Sequence, residues 1–235
     1  MSDLASQLRQ ALFGAGAALV GFADMGQVPP AARQGLPRAV SIIVARDPLV
    51  VAALSDGPIA ECHDEYRRNN ELLSRLRDLA TGVLREHGHQ AIPRSALQQD
   101  LDVTTLSTLL PHKTAATRAG LGWIGRCAVL VTEAYGPAVR LTSVLTDAPL
   151  PTGTPLDESR CGDCRACVDA CPGKAVKGQD WHLGLPREAL LDAQLCDATG
   201  TAHSAELGLS RNHCAYCVAA CPKAIAYLRR SGALR

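Results

Sequence analysis

The feature that most restricts this chain is a set of cysteines between Cys161 and Cys221. The stretch opens CGDCRACVDACPGKAV and closes CAYCVAACPKAI. Cys161, Cys164, Cys167 and Cys171 follow C-x2-C-x2-C-x3-C-P. Cys214, Cys217 and Cys221 repeat the second half of that run, and Cys196 stands alone between them. These eight thiols are the number that two [4Fe–4S] cubanes need at four thiolates each. Three cysteines at steps of three, on a tight loop, can address three corners of one cube. Pro172 biases Cys171 out of helical geometry and turns the chain. A zinc site would use C-x2-C pairs separated by a loop, without the triplet or the Cys-Pro ending. Disulfides would need an exported chain.

In two-cluster ferredoxins the cysteine before the proline ligates the other cluster. That rule assigns Cys161, Cys164, Cys167 and Cys221 to one cluster. Cys171, Cys196, Cys214 and Cys217 take the second, where Cys196 fills the place its short motif leaves open. Cys62 and Cys127 then read as buried free thiols. His182, His203 and His213, scattered among the cysteines, read as loop residues.

A length of 235 residues allows one or two domains at ~150 residues each. The cluster part takes residues 151–235, so residues 1–150 form a separate α/β domain. PLPTGTPLDES (149–159) is the linker between them. Aromatics are 3% of the chain, so the core is built from Ala, Leu and Val. Lys plus Arg (24) and Asp plus Glu (23) give a net charge of +1, which offers no electrostatic argument for nucleic acid or membrane. No apolar run reaches the ~18 residues of a membrane span. Asp3 sits where a signal peptide would carry its basic residues. A cytoplasmic protein is expected.

Residues 3–19 read as an amphipathic helix, and VGFADM (20–25) as a strand after it. AVSIIVA (39–45) is a buried strand. A helix is expected from about Glu61 to Glu86, closed by Gly88. HQAIPR (89–94) reads as another strand, and HKTAATRAG (112–120) as a short helix. CAVLVT (127–132) and AVRLTSVLT (138–146) read as two strands joined at Tyr135-Gly136-Pro137.

GLGWIG, with Gly120, Gly122 and Gly125, has the letters of a dinucleotide fingerprint. It lacks the preceding strand and following helix that the fingerprint requires. A plain turn and a close backbone approach to a flat cofactor remain open readings, the second because glycine has no Cβ. His112, Lys113, Asp102 and Tyr135 are the candidate proton donors, in that order.

From CHDEYRR onward, and above all in AGLGWIG, YGPAVRLTSVLTD and the doubled cysteine run, the sequence resembles the epoxyqueuosine reductase family. The resemblance implies an α+β fold, with a nitroreductase-like cobalamin-binding domain followed by a bacterial-type two-cluster [4Fe–4S] ferredoxin-like domain. Reductive dehalogenases are built similarly. It implies base-off cobalamin between the domains, reduced through the clusters. The corrinoid-facing positions would be Gly120, Gly122, Trp123, Ile124, Gly125, Leu130, Val131 and the segment 139–143, including Arg140, Leu141 and Ser143. A low-potential donor of ferredoxin or flavodoxin type would supply the electrons. Two departures stand out. The helical-repeat domain with which full-length members grip tRNA does not follow the clusters, and the place of the family's general-acid Asp falls at Leu106 or Ser107. The expectation is therefore a short form that does not act on tRNA. It would either reduce another small molecule or activate corrinoid on a partner protein.

Overall fold

The structure is a computed structural model, and it describes residues 3–95, 101–209 and 214–234. The elements are α1 (Leu4–Gly14), β1 (Leu19–Asp24), β2 (Arg38–Ala45), α2 (Pro48–Ala53), α3 (Glu61–Glu86), β3 (Ala91–Arg94), α4 (His112–Arg118), β4 (Trp123–Ile124), β5 (Leu130–Val131) and β6 (Val139–Thr146). The cysteine-rich part adds α5 (Ala166–Asp169), α6 (Arg187–Leu190), α7 (Ala193–Ala205), α8 (Tyr216–Ala219) and α9 (Pro222–Arg230).

α1 begins at Asp3, whose carboxylate accepts from the Ser6 N–H at 2.8 Å. That capping bond satisfies one orphan donor of the first turn. The helix stops at Gly14 rather than running to residue 19, because Gly16 turns the chain at φ 104°. The expected helix at 61–86 matches α3.

Four strands form an antiparallel sheet in the order β1-β2-β6-β3. β2 is buried on both faces, and its side chains alternate. Val40, Ile42 and Val44 pack with Leu8 and Leu12 of α1 and Leu73 and Leu76 of α3. Ala39 meets Ala115 and Ala119, and Ile43 meets Ala116, of α4 and its C-terminal end. Each fully buried leucine contributes on the order of 1.5–3 kcal/mol.

The hairpin expected between 127–132 and 138–146 is not formed. β5 is only Leu130–Val131, and it pairs with β4 (Trp123↔Val131, Ile124↔Leu130). β6 instead pairs with β2 and β3. The apolar run at 127–132 is buried except at Val129, and burial alone does not make a strand.

The cysteine-rich part shares a core with the rest. Val51, Leu54 and Cys62 pack with Ala215, Val218, Ala224 and Leu228. The 149–159 segment is tied down as well, with the Gly153 N–H on Phe22 O at 2.9 Å and the Leu156 N–H on Thr117 O at 3.0 Å. Among the described residues no helix is long and apolar enough to cross a membrane.

Candidate functional site

A cleft of about 690 Å³ opens between α4, β5, β6 and α6, with Lys113, Val129, Leu130, Arg140 and Leu141 in its wall. A smaller cavity of about 230 Å³ shares Tyr66, Val129, Leu130, Val139, Arg140 and Leu141 with it and is closed by Cys214, Ala215 and Val218. One apolar wall therefore runs from the cleft to the second cysteine motif. Arg140 is held flat in that wall: its guanidinium lies 4.2 Å over the Tyr66 ring and donates to Asn70 Oδ1 at 2.8 Å.

Lys113 lines this cleft and also a third cavity, of about 290 Å³, between α4 and the Trp181–Leu190 segment. Its ammonium donates to Ala128 O at 2.6 Å. Burial first, then the nearby Arg187 charge, lower its pKa to about 8. It therefore holds a proton near neutrality and can release it.

The other candidate donors stand differently. His112 also lines the cleft, but both of its nitrogens are engaged. Nδ1 lies 2.9 Å from Ser143 Oγ and Nε2 lies 2.8 Å from Ser95 O. A carbonyl can only accept, so Nε2 carries the proton and Nδ1 accepts from the serine. Asp102 starts a small hairpin, with its N–H on Ser107 O at 2.8 Å. Its exposed carboxylate accepts from the N–H groups of Thr104 and Thr105, which hold it below its ordinary value. It is a turn-forming carboxylate, not an acid that donates at neutral pH. Tyr135 is away from the cleft, with its ring edge-on to Tyr227 of α9 at 5.2 Å. Leu106 and Ser107 do reach the cleft wall. Leu106 sits at φ 51°, and Arg187 pins its carbonyl at 2.6 Å. That link, 81 residues apart, is the one sequence reasoning missed: nothing local to Arg187 marks its partner.

A Cβ on Gly120 would stand 2.6 Å from Thr154 O, one on Gly122 2.3 Å from Val131 O, and one on Gly125 2.7 Å from Val131 Cγ2. The missing side chains let the protein's own backbone and side chains approach this turn closely. Trp123, Val131 and Ser143 are buried, Ser143 in β6 against His112. Ile124 lines the third cavity.

The cysteines fall into two neighbourhoods. Cys221 feels the charges of Cys161 and Cys167, while Cys196 feels those of Cys214 and Cys171. Cys164 closes the first loop through its N–H on Cys161 O. Cys217 meets the thiol of Cys127. Burial first, then crowding by Cys214 and Cys171, pushes Cys196 up to about 11. A hydrogen bond with Cys127 and burial raise Cys167. Half-buried thiols crowded together are a donor set that cations relieve, because a bound metal inverts this logic. The thiols thus fit iron. Among the described residues no three His, Cys, Asp or Glu side chains converge closely enough for a single metal ion. His203 lies in α7 against Tyr216 rather than in a loop, His182 sits on Leu183 O, and His213 lies outside the described residues.

The 4Fe-4S binding domain family matches residues 154–177. Epoxyqueuosine reductase from Pseudomonas aeruginosa is 39% identical over 67 residues, 28% of this chain and 19% of that protein. The Synechococcus sp. enzyme of the same name is 35% identical over 106 residues, 45% of this chain and 30% of that one. The matches thus span under a third of these relatives. Among solved structures, the catabolic reductive dehalogenase NpRdhA superposes with a TM-score of 0.72 at 18% identity, covering 98% of this chain and 34% of that one. An epoxyqueuosine reductase solved with an epoxyqueuosine-modified tRNA-Tyr stem loop gives 0.61 at 19% identity, covering 94% and 65%. The chain is thus a mixed α/β protein with a 4Fe-4S binding segment, similar in part of its sequence to epoxyqueuosine reductases and in fold to those enzymes and to reductive dehalogenases.

Proposed function

We propose that this chain is an iron–sulfur reductase in which two [4Fe–4S] clusters deliver electrons to a base-off cobalamin seated in the 690 Å³ cleft. The N-terminal part is then a nitroreductase-like cobalamin-binding domain. When bound, the corrinoid supplies low-potential reductive bond chemistry, and the protein orients it. Leu130, Val139, Arg140 and Leu141 are its wall. Cys161, Cys164, Cys167 and Cys221 hold one cluster, and Cys171, Cys196, Cys214 and Cys217 hold the other. Lys113 holds the proton that a reduced substrate requires.

The observation that carries this reading is the shared wall. The cavity closed by Cys214 and the large cleft have Leu130, Val139, Arg140 and Leu141 in common. Electrons leaving the second cluster would cross a partition of protein side chains, Leu130, Val139 and Leu141 with Arg140, rather than bulk water.

A second reading draws on the rim of the cleft. Val103 and Leu109, at 78% and 74% exposure, flank its lining residues. They would suit docking of a corrinoid protein that this chain reductively activates. In either case a ferredoxin- or flavodoxin-type protein supplies the electrons. tRNA is not the proposed substrate, because the family's acid position holds Leu106 or Ser107.

The test is anaerobic reconstitution with iron and sulfide, then addition of cob(II)alamin. The electron paramagnetic resonance spectrum of the cobalt is expected to change to the base-off form. Protein with full iron content that leaves the cobalt spectrum unaltered would overturn the cobalamin reading and favour the activator.

A further inference from the structure

Arg126 and Cys127, which follow the glycine turn, line none of the three cavities. Both are buried, at 8% and 5% exposure. Arg126 Nη1 donates to the carbonyl of Cys164, in the first cysteine loop. Its Nη2 donates to Asp180 Oδ2 at 2.8 Å. Its Nε is buried with no hydrogen-bond partner among the described residues. The Arg126 charge also reaches Cys167. The Cys127 thiol is within hydrogen-bond reach of Cys167 and of Cys217. Gly125 sits beside both loops: Cys127 Sγ and Cys161 Sγ each lie 3.6 Å from the place its Cβ would take.

We infer that Arg126 and Cys127 are positioning residues for the two clusters, Arg126 for the one held by Cys161, Cys164, Cys167 and Cys221 and Cys127, through Cys217, for the other, and that each raises the reduction potential of its cluster. The inference rests on the cluster reading above. A cubane gains negative charge when it takes up an electron. A buried guanidinium beside the first cluster, and an S–H donor on the Cys217 sulfur of the second, stabilise that charge. Net charge and hydrogen bonds to the sulfurs are among the factors that set cluster potentials. Asp180 offsets part of the Arg126 charge but is half exposed, at 54% for its side chain, so water screens it more than the buried cation. Arg126 also clamps the carbonyl of Cys164, so the α/β part fixes the loop that carries three ligands.

The test is a redox titration of the iron-loaded chain, followed by electron paramagnetic resonance, with iron content measured on the same samples. Wild type is expected to hold about eight iron atoms. Arg126→Gln is expected to shift the midpoint of one cluster to more negative values, while Arg126→Lys, which keeps the charge, stays near wild type. Cys127→Ala is expected to shift the midpoint of the other cluster in the same direction, and Cys127→Ser, which keeps a donor, to shift it less. Should Arg126→Gln fail to load iron, Cys127→Ala carries the test alone, since it removes one small side chain. Unchanged midpoints at full iron content overturn the inference. Wild-type protein that takes up no iron overturns the cluster reading instead.

Discussion

The Lys113 ammonium donates to the carbonyl of Ala128 across 2.6 Å, and this bond joins the start of α4 to the loop before β5. It places a titratable cation where the large cleft meets the cavity beside Trp181. The carbonyl gives the ammonium one partner, while burial and Arg187 bring its pKa down to about 8.

A pH dependence of stability follows. The folded pKa of Lys113 is depressed from 10.5 to about 8. Below pH 8 both states hold the proton, and the cost of burying the charge is fully present. Between about 8 and 10.5 the folded chain releases the proton while the unfolded chain keeps it, so stability rises with pH. The span corresponds to at most about 3 kcal/mol. Lys113→Met is therefore expected to gain on wild type at pH 7 and to lose that gain towards pH 9.5. Urea denaturation at the two pH values measures it. A wild-type-to-variant difference that does not move between them would contradict the depressed pKa.

Cys196 separates the two cysteine neighbourhoods. It lies on α7, near Cys171 and Cys214, and outside both motifs. Cys196→Ala is expected to damage one cluster and leave the other with a near-native spectrum, lowering iron by up to about four atoms. Equal loss of both signals in folded protein would refute the pairing. Cys62→Ser, at a thiol packed with Val51 and Leu228, is expected to leave iron content unchanged.

The long elements were legible because their patterns are periodic. α3 buries Leu73, Leu76 and Leu84 of its apolar stripe, although Leu79 is left 36% exposed, and β2 is buried along most of its length. The cysteine motif was legible because its chemistry demands fixed steps. What stayed hidden depends on distant partners. Asp102 has the chemistry of an acid, yet the two N–H groups that follow it in the turn make it a capping carboxylate. His112 looks available until Ser143 and Ser95 claim its nitrogens. The glycines of GLGWIG signal close approach correctly. Only the fold tells what approaches: Thr154 and Val131.

Arg46 and Glu65 form a largely buried ion pair beside the smaller cavity. Arg46 Nη2 lies 2.6 Å from Glu65 Oε2, and the same carboxylate accepts the Asp47 N–H at 2.8 Å. The Tyr227 hydroxyl donates to Arg46 O at 2.7 Å, which ties α9 to the end of β2. Glu65→Ala strands a buried guanidinium, which costs about 3–5 kcal/mol. A denaturation midpoint within about 1 kcal/mol of wild type would show that water reaches Arg46 and that the pair is screened as at a surface.

The last prediction separates cofactor binding from folding. Replacing Gly122 by leucine is a poor probe, because the new Cβ would meet Val131 O at 2.3 Å and break the β4–β5 pair. That variant is expected to lose stability and iron together. Val129 is the better position. It is 36% exposed and lines both the large cleft and the cavity next to Cys214. Its side chain leaves room on the solvent side, and its backbone carbonyl keeps its bond to the Gly125 N–H at 2.9 Å. Val129→Trp is expected to fill the cleft while leaving iron content and melting temperature near wild type. Such a variant should leave added cob(II)alamin in its free, base-on form, where wild type converts it. If Val129→Trp converts the cobalt spectrum as fully as wild type at equal protein concentration, the corrinoid does not occupy this cleft.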